Sequence, residues 1–344
     1  MHNAHLVALK PAVASILAIL CSLITSGIIL LFIGRNPLVY FSLLFAKGIG
    51  TPLGVIESII RMTPLLIISA GLLSCFSAGL WNIGVEGQFL VGAMLAGWAA
   101  PALSASLPYP IYLFATAILG IAGGMAWIFL PAVLKARYDI NEIITTLMMS
   151  WVAINLTAWL VKGPINDLSS VPAQTPLIPL DHRLPMIPLT RIHVGLIMGI
   201  ASLLGTHWVI RRTTLGYRFR VISANKQAAL RAGMRVPRII VYSLLISGGF
   251  AGLAGVSEVL AIKGLFQAGW NPQYGMTTIP LVFLARLNGW AVIPLAFFFS
   301  FLAVGGEFVA RDLDVPVFFV HVMEGLTLLF FAASEYFAKR RILK

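Results

Sequence analysis

Long apolar runs separated by short polar stretches alternate along most of the chain. The first run begins at Pro11 and ends at Ile33, before a turn signal of Gly34 and an Asn-Pro pair. Most of the later runs approach the roughly 20 residues that a helix needs to cross a bilayer, and about ten such segments fit the chain. The pattern predicts an all-α protein: a polytopic bundle of about ten transmembrane helices in a single transmembrane domain, residues 1–344.

One polar stretch interrupts this pattern sharply. Residues 79–88 read GLWNIGVEGQ and lie between two almost purely apolar runs. At membrane depth, a carboxylate costs at least about 2.5–3.5 kcal/mol, and protein or water must satisfy the backbone of a broken helix. The stretch therefore predicts an interrupted helix that faces inward, along a hydrated route for solutes. The alternative is a short turn between two helices, with Glu86 in water.

A second, shorter interruption lies at residues 285–289, which read ARLNG. It separates the short apolar run 276–284 from the run 290–304. Interruptions in comparable places of the two halves are typical of inverted-repeat transporters. Two interrupted helices and a possible inverted repeat are therefore predicted, with ordinary tight turns between hairpin helices as the alternative.

Composition supports a membrane protein, because 59% of the residues are hydrophobic and only 10% are charged. The net charge of +12 does not indicate nucleic-acid binding, since the basic residues fall mainly in clusters between apolar runs. Cys21 and Cys75 lie inside apolar segments, and neither they nor the histidines show metal-ligand spacing. We therefore expect no disulfide, no metal site and no nucleic-acid partner.

The basic clusters also predict the orientation of the chain. Residues 211–238 contain many Lys and Arg residues and no acidic one, and the C-terminal tail is basic too. Because cytoplasmic loops carry such an excess, we expect this loop and both termini in the cytoplasm of an inner-membrane protein. The Pro-rich loop 162–190 is then extracytoplasmic. Within the basic loop, residues 223–232 are helix-prone, with Ser223 as the predicted N-cap and Gly233 as the C-terminal stop.

Several segments resemble the permease subunits of ABC importers in the branched-chain amino acid, ribose and nucleoside group. The most specific is NIGVEGQ at 82–88, and LKARYDINEIITTLMMSWVA at 134–153 and GYRFRVISANKQAALRAGMRVP at 216–237 agree with it. The resemblance runs from about residue 35 to the end and is greatest to the nucleoside or simple-sugar branch. The chain departs from the family pattern at Ala285 and Arg286, where glycine is usual.

The resemblance implies one subunit of an ATP-driven importer. A separate ATPase would bind ATP, a second permease (the same or a sister chain) would complete the pore, and an extracytoplasmic solute-binding protein would deliver nucleosides or simple sugars. The chain has no G-x-x-x-x-G-K-[ST] motif, so we expect no nucleotide or other cofactor on it. The expected ATPase-coupling residues are Ser223, Ala224, Asn225, Ala228, Ala229, Arg231, Ala232 and Gly233. A lipid-facing basic loop that only fixes the topology is the alternative for this segment.

Six polar or aromatic residues are candidates for the solute pathway: Trp81, Asn82, Glu86, Gln88, Asn155 and Glu258. Each has a plainer interpretation. Asn82, Glu86 and Gln88 could instead satisfy the broken backbone, with Glu86 as a cap on the break. Asn155 and Glu258 could bond between helices, and Trp81 could be an interfacial anchor. As pathway residues, Trp81 and Trp270 could stack on the flat ring of a base or a sugar. No nucleophile is paired with a base, so we do not predict an enzyme. An ion-driven secondary carrier, with Glu86 or Glu258 as the ion site, is the alternative function.

Overall fold

The computed structural model describes residues 2–188, 190–316 and 318–342, and side chains within 16–334 of those ranges. These residues are helical apart from loops and two isolated β-bridges. A 3-10 turn (Leu180–His182) lies in the long loop after α6, and a π-helical turn (Val259–Lys263) extends α10. The α-helices are α1 His2–Phe32, α2 Pro37–Gly48, α3 Pro52–Ser77, α4 Val85–Ser106, α5 Tyr109–Tyr138, α6 Glu142–Lys162, α7 Gly195–Arg212, α8 Thr214–Ala224, α9 Lys226–Arg231, α10 Val236–Glu258, α11 Tyr274–Leu284, α12 Gly289–Leu313 and α13 Phe319–Ile342.

Within the described residues, six helices are long and apolar enough to cross a membrane: α3, α4, α5, α6, α12 and α10 with its π turn. Four shorter apolar helices accompany them: residues 16–32 of α1, α2, α11 and residues 319–334 of α13. The predicted polytopic helical bundle is confirmed. The predicted count of about ten full spans is not confirmed, because within the described residues the apolar parts of these four helices span 10–17 residues.

The centre of the bundle is a close contact between glycine-rich helices. Gly124 of α5 lies against Gly248 and Gly252 of α10, and Gly92 of α4 also lies against Gly252. A Cβ atom added at Gly248 would come within 2.6 Å of the carbonyl oxygen of Gly124. Small residues at such crossings let helix backbones approach within a membrane. The glycines of these helices therefore let the three backbones pack closely at the centre of the bundle.

The two ends of the bundle differ in charge. At the end that we call the basic end, α5 finishes with Lys135 and Arg137, α7 finishes with Arg211 and Arg212, and α8 and α9 follow. At the opposite end, which we call the far end, the loop after α6 covers the chain that follows α10. The amide of Thr175 donates to the carbonyl of Phe266 at 2.9 Å, and that of Ile178 donates to Gly264 at 2.8 Å.

Both predicted interruptions exist, with corrected limits. The first break comprises residues 78–84, between the end of α3 and the start of α4. The sequence placed its end at Gln88, but residues 85–88 form the first turn of α4. The second break is residues 285–288. Its last residue, Asn288, accepts a hydrogen bond from the amide of Trp290 and is the N-cap of α12. The inverted repeat stays a prediction.

The predicted coupling segment is two helices, not one. The helix α8 continues to Ala224 because Phe219 and Ile222 on its inner face are buried. Asn225 then accepts a hydrogen bond from the amide of Ala228 and begins α9, so the prediction of Ser223 as the N-cap is wrong. Gly233 follows α9 with a φ of 76°, as a C-terminal stop requires.

Candidate functional site

The backbone of the first break is satisfied by one face of α6. The amides of Trp81, Ile83 and Gly87 donate to the side chains of Glu142, Thr146 and Ser150, at 3.4, 3.2 and 3.1 Å respectively. These three acceptors recur every fourth residue, so they form one polar stripe along α6. The broken helix thus has protein partners rather than requiring water at these positions.

Asn82 and Gln88 close the break on its inner side. The two amide side chains form two mutual hydrogen bonds, at 2.8 and 3.0 Å. Asn82 also donates to Ser247 of α10 at 2.9 Å and accepts from the amide of Gly84 at 3.0 Å. Asn82 is fully buried. These contacts favour the interpretation that the two residues hold the broken backbone, and their role in a solute pathway stays a prediction.

Glu86 joins the first break to the start of α11. Its Oε2 atom accepts a hydrogen bond from the amide of Gly275 at 2.6 Å, whereas the helix has no side-chain cap of its own at Gln273. A carboxylate is favourable at a helix N-terminus. Only 5% of Glu86 is exposed, so the alternative that placed it in water is wrong. Its capping role, which the sequence left open, fits this geometry.

We expect Glu86→Ala to destabilise the helical bundle, because the buried amide of Gly275 would lose its acceptor. Such a loss costs about 1–3 kcal/mol, and a lost helix cap costs about 1 kcal/mol. The melting temperature of the purified protein in detergent should fall. Glu86→Gln keeps an acceptor oxygen at the same place and should lose less than half as much. Equal melting temperatures of Glu86→Ala and the wild type would contradict the capping role of Glu86.

A cavity of about 520 Å³, which we call the chamber, lies between α3, the end of α10, α11, α12 and α13. It belongs to the far half of the bundle, since the π turn after α10 and the loop before α11 form part of its wall. Its aromatic walls include Trp270, Tyr274 and Phe299. Its ionisable wall residues, beside Tyr274, are Glu57, Arg61, Glu258, Lys263, Glu307, His321 and Glu324.

Three polar contacts organise the chamber wall. Arg61 and Glu307 form an ion pair at 2.6 Å, and their side chains are 30% and 40% exposed. The hydroxyl of Tyr274 donates to Glu258 at 3.2 Å. Glu324 accepts from Thr277 at 2.9 Å. A concave site with aromatic rings and a few oriented polar groups is suited to a small polar molecule.

The structure brings together only part of the predicted pathway set. Glu258 lines the chamber, and so does Trp270, whereas Trp81, Asn82, Glu86 and Gln88 do not. Asn155 lies on the exposed face of α6 and donates to the carbonyl of Trp151 in its own helix at 2.8 Å. The bond between helices considered for Asn155 is therefore not present among the described contacts.

Sequence reasoning missed six of the seven ionisable residues named above for the chamber wall: Glu57, Arg61, Lys263, Glu307, His321 and Glu324. A usable signal was present, because Glu307 and Glu324 interrupt apolar stretches of α12 and α13. Ionisable residues inside transmembrane segments commonly face the bundle interior and mark solute routes.

An aromatic cluster closes the bundle toward the basic end. The ring of Phe283, at the end of α11, stacks on those of Phe76 and Trp81, with centroids 4.8 Å away in both cases. Trp81 remains 40% exposed. The cluster therefore ties the end of α3, the first break and the end of α11 together.

The first break touches the coupling segment directly. A Cβ atom added at Gly79 would lie 3.0 Å from the hydroxyl oxygen of Ser223, and Gly79 has a φ of 72°. Ion pairs add a second link: Lys226 of α9 contacts Asp139 at 3.1 Å, and Lys135 contacts both Asp139 and Glu142. Hydrogen bonds from Lys135 and Lys226 hold the pKa of Asp139 below its usual range.

The family model described as "Branched-chain amino acid transport system / permease component" matches residues 54–332. The chain belongs to this permease family. The permease is 31% identical to the glucose ABC transporter permease protein TsgB13 of Haloferax volcanii, over 95% of this chain and 88% of the relative. It is 30% identical to the guanosine ABC transporter permease protein NupP of Bacillus subtilis, over 93% and 92% of the two chains. A nucleoside ABC transporter permease protein of Lactococcus lactis, NupB, is 24% identical over 94% and 92%.

These relatives confirm the resemblance drawn from NIGVEGQ and the other segments, including its placement beside nucleoside and simple-sugar permeases. The permease is thus a multi-pass membrane protein and a transporter component of the ABC importer class.

Proposed function

We propose that the permease forms one transmembrane half of an ATP-driven importer that passes nucleosides or simple sugars from the far end to the basic end. The observation that carries this proposal is the chamber, a polar and aromatic cavity that the far half of the bundle encloses. Two relatives are named for a nucleoside and one for glucose. A second permease completes the pore, and a solute-binding protein docks at the far end.

The chamber chemistry suits both substrate classes. The carboxylates of Glu258 and Glu324 can accept hydrogen bonds from ribose or hexose hydroxyls, and the Arg61 guanidinium can donate. The Trp270 ring offers a flat face to a base or a sugar ring. No step of chemistry on the solute is needed, so the permease acts without a bound cofactor, and ATP hydrolysis belongs to its partner.

The basic end faces the cytoplasm in this proposal, because basic loops are retained there. Both termini then lie on the cytoplasmic side, and the loop after α6 lies outside. The helix α9 would dock in a groove of the ATPase, as short helices dock in partner grooves. Its surface suits that role: Ala228 and Arg231 are exposed, whereas Ala229 is buried against the permease itself.

The contacts of the first break give a physical route from the ATPase to the chamber. Ser223 in the coupling segment touches Gly79, Trp81 stacks on Phe283 of α11, and Glu86 caps the start of α11. Tyr274 and Thr277 of that same helix line the chamber. A movement of α8 and α9 would therefore reach α11 through packed groups rather than through flexible loops.

The docking of α9 is tested by Ala228→Trp, which adds bulk to its exposed face. We expect tagged permease from its native membrane to retain an ATPase subunit. The variant should retain about fivefold less of it, because the Trp side chain would keep α9 from entering the groove of the ATPase. Ala46→Trp is the matched control, because it adds the same bulk to an exposed alanine of α2, outside the coupling segment.

Two results would overturn the proposal. One is tagged permease that never carries an ATPase subunit. The other is solute uptake by the isolated chain, driven by an ion gradient with no ATPase present, which is the behaviour of a secondary carrier.

A further inference from the structure

The arginines near the start of α10 differ from the lysines beside them. Lys135 and Lys226 are paired with the carboxylates of Asp139 and Glu142. By contrast, no ion pair involves Arg218, Arg235 or Arg238 in the part of the chain that the structure describes. The carboxylates of Asp139 and Glu142 thus pair with the two lysines. The three arginines have no carboxylate partner among the described residues.

These three arginines line one pocket, which we call the head pocket. It has a volume of about 610 Å³ and also includes Leu215 of α8, residues 232–234 after α9, and Tyr242 of α10. No acidic residue is among its lining residues. Arginine is suited to phosphate oxygens, because its planar donors can bond two of them at once.

An apolar groove of about 320 Å³ continues from the head pocket between α5 and α10. The two cavities share Arg238 and Tyr242. The walls of the groove include Phe129 and Val133 of α5 and Val241 of α10, and Arg137 adds a further positive charge at its lining. Phe129 and Tyr242 are 53% and 54% exposed, on two helices that are long and apolar enough to cross a membrane.

We propose that this composite site binds one anionic phospholipid, with its phosphate in the head pocket and one acyl chain in the groove. A free phosphate would occupy only the head pocket and leave the groove empty. An acidic segment of a partner protein could match the arginines but not an apolar groove on the lipid-facing surface. Basic pockets between transmembrane helices on the cytoplasmic side are suited to acidic headgroups. The lipid would fix α5 and α10 beside the coupling segment.

The test uses the full-length permease, purified and exposed to vesicles of phosphatidylglycerol or phosphatidylcholine, with bound lipid counted by native mass spectrometry. We expect one retained phosphatidylglycerol and little retained phosphatidylcholine. Arg235→Gln/Arg238→Gln should lower the retained phosphatidylglycerol roughly thirtyfold, since each Arg near an anionic lipid contributes about fivefold. Arg211→Gln/Arg212→Gln removes the same charge from exposed residues outside the site and should change little.

A second variant tests the groove without changing any charge. Val133→Trp fills the groove, so it should also reduce the retained phosphatidylglycerol while the melting temperature confirms that the variant is folded. The proposal is overturned by equal loss in the two arginine pairs, which would indicate general surface charge. It is also overturned if Val133→Trp keeps the lipid, or if inorganic phosphate displaces it at equal concentration, because either result indicates a site for the headgroup alone. Loss of the ATPase with unchanged lipid in Arg235→Gln/Arg238→Gln would assign the pocket to a protein partner instead.

Discussion

Replacing Arg61 with glutamine should nearly abolish solute uptake and destabilise the permease. Arg61 pairs with Glu307 at 2.6 Å, and Glu258 lines the same chamber. Without the guanidinium, Glu307 would lose its ion-pair partner in a confined cavity that also holds Glu258. Breaking a fully buried pair costs about 3–5 kcal/mol. The pair is open to the chamber, so we expect about 1–3 kcal/mol, since solvent screens partly exposed charges.

The partner variants separate charge balance from solute binding. In Arg61→Gln/Glu307→Gln both charges are absent, so the melting temperature should recover much of the loss seen with Arg61→Gln alone. Uptake of guanosine or glucose by the complete transporter should recover less if the guanidinium also contacts the solute. Arg191→Gln, in the exposed loop before α7, is the control for charge loss at the far end. If Arg61→Gln had the uptake rate and the melting temperature of the wild type, the proposed role of the ion pair would be refuted.

The sequence predicted the helical bundle well, because its main determinants are local. Apolar runs define the long helices, and glycines at 79 and 84 mark the first break directly. The face of small residues on α10 was likewise visible as SGGFAGLAG. The count of full spans was harder to predict, since α2 and α11 are apolar but too short to cross alone.

The candidate site was harder to predict, because its contacts join distant parts of the chain. Asn82 and Gln88 look like free polar groups in the sequence, but they bond each other, and Asn82 also bonds Ser247 of α10. The chamber brings Arg61 beside Glu307 in the same way. Nothing local in the sequence indicates that these two residues meet.

The coupling segment shows how neighbouring signals compete. Ser223 and Asn225 are both good N-cap residues. The burial of Phe219 and Ile222 keeps α8 helical through Ala224, so only Asn225 is left to begin α9. Local propensity is therefore compatible with a start of α9 at either residue, and the packing of α8 against the bundle determines that α9 begins at Asn225.

The departure at the second break has a structural counterpart. Arg286, where the resemblance led us to expect glycine, has a φ of 51°, a conformation that glycine adopts without strain. Its guanidinium lies 5.9 Å from the ring centre of Phe331 in α13. A cation–π contact of this kind contributes about 0.5–1 kcal/mol at exposed sites. The side chain therefore supplies a contact that a glycine could not make.

Gly124→Ala should prevent the permease from forming its native bundle or leave it strongly destabilised. The added Cβ would overlap the carbonyl oxygen of Gly248 and lie 3.0 Å from the Cα of Gly252. Both neighbours are backbone atoms, so no side chain can turn away to make room. Overpacking a tight core usually costs about 1–3 kcal/mol. We expect the upper part of that range, measured as lower yield of monodisperse protein and a lower melting temperature in detergent.

Gly205→Ala is the matched control, because it makes the same change in α7 where nothing lies within 4 Å of the added Cβ. Alanine is favoured over glycine in a helix by about 1 kcal/mol, so this variant should be as stable as the wild type or more so. The two substitutions are chemically identical and therefore isolate the helix crossing. Equal melting temperatures would show that α5 and α10 can separate by a few tenths of an ångström without loss, and that their glycine contact does not hold the bundle together.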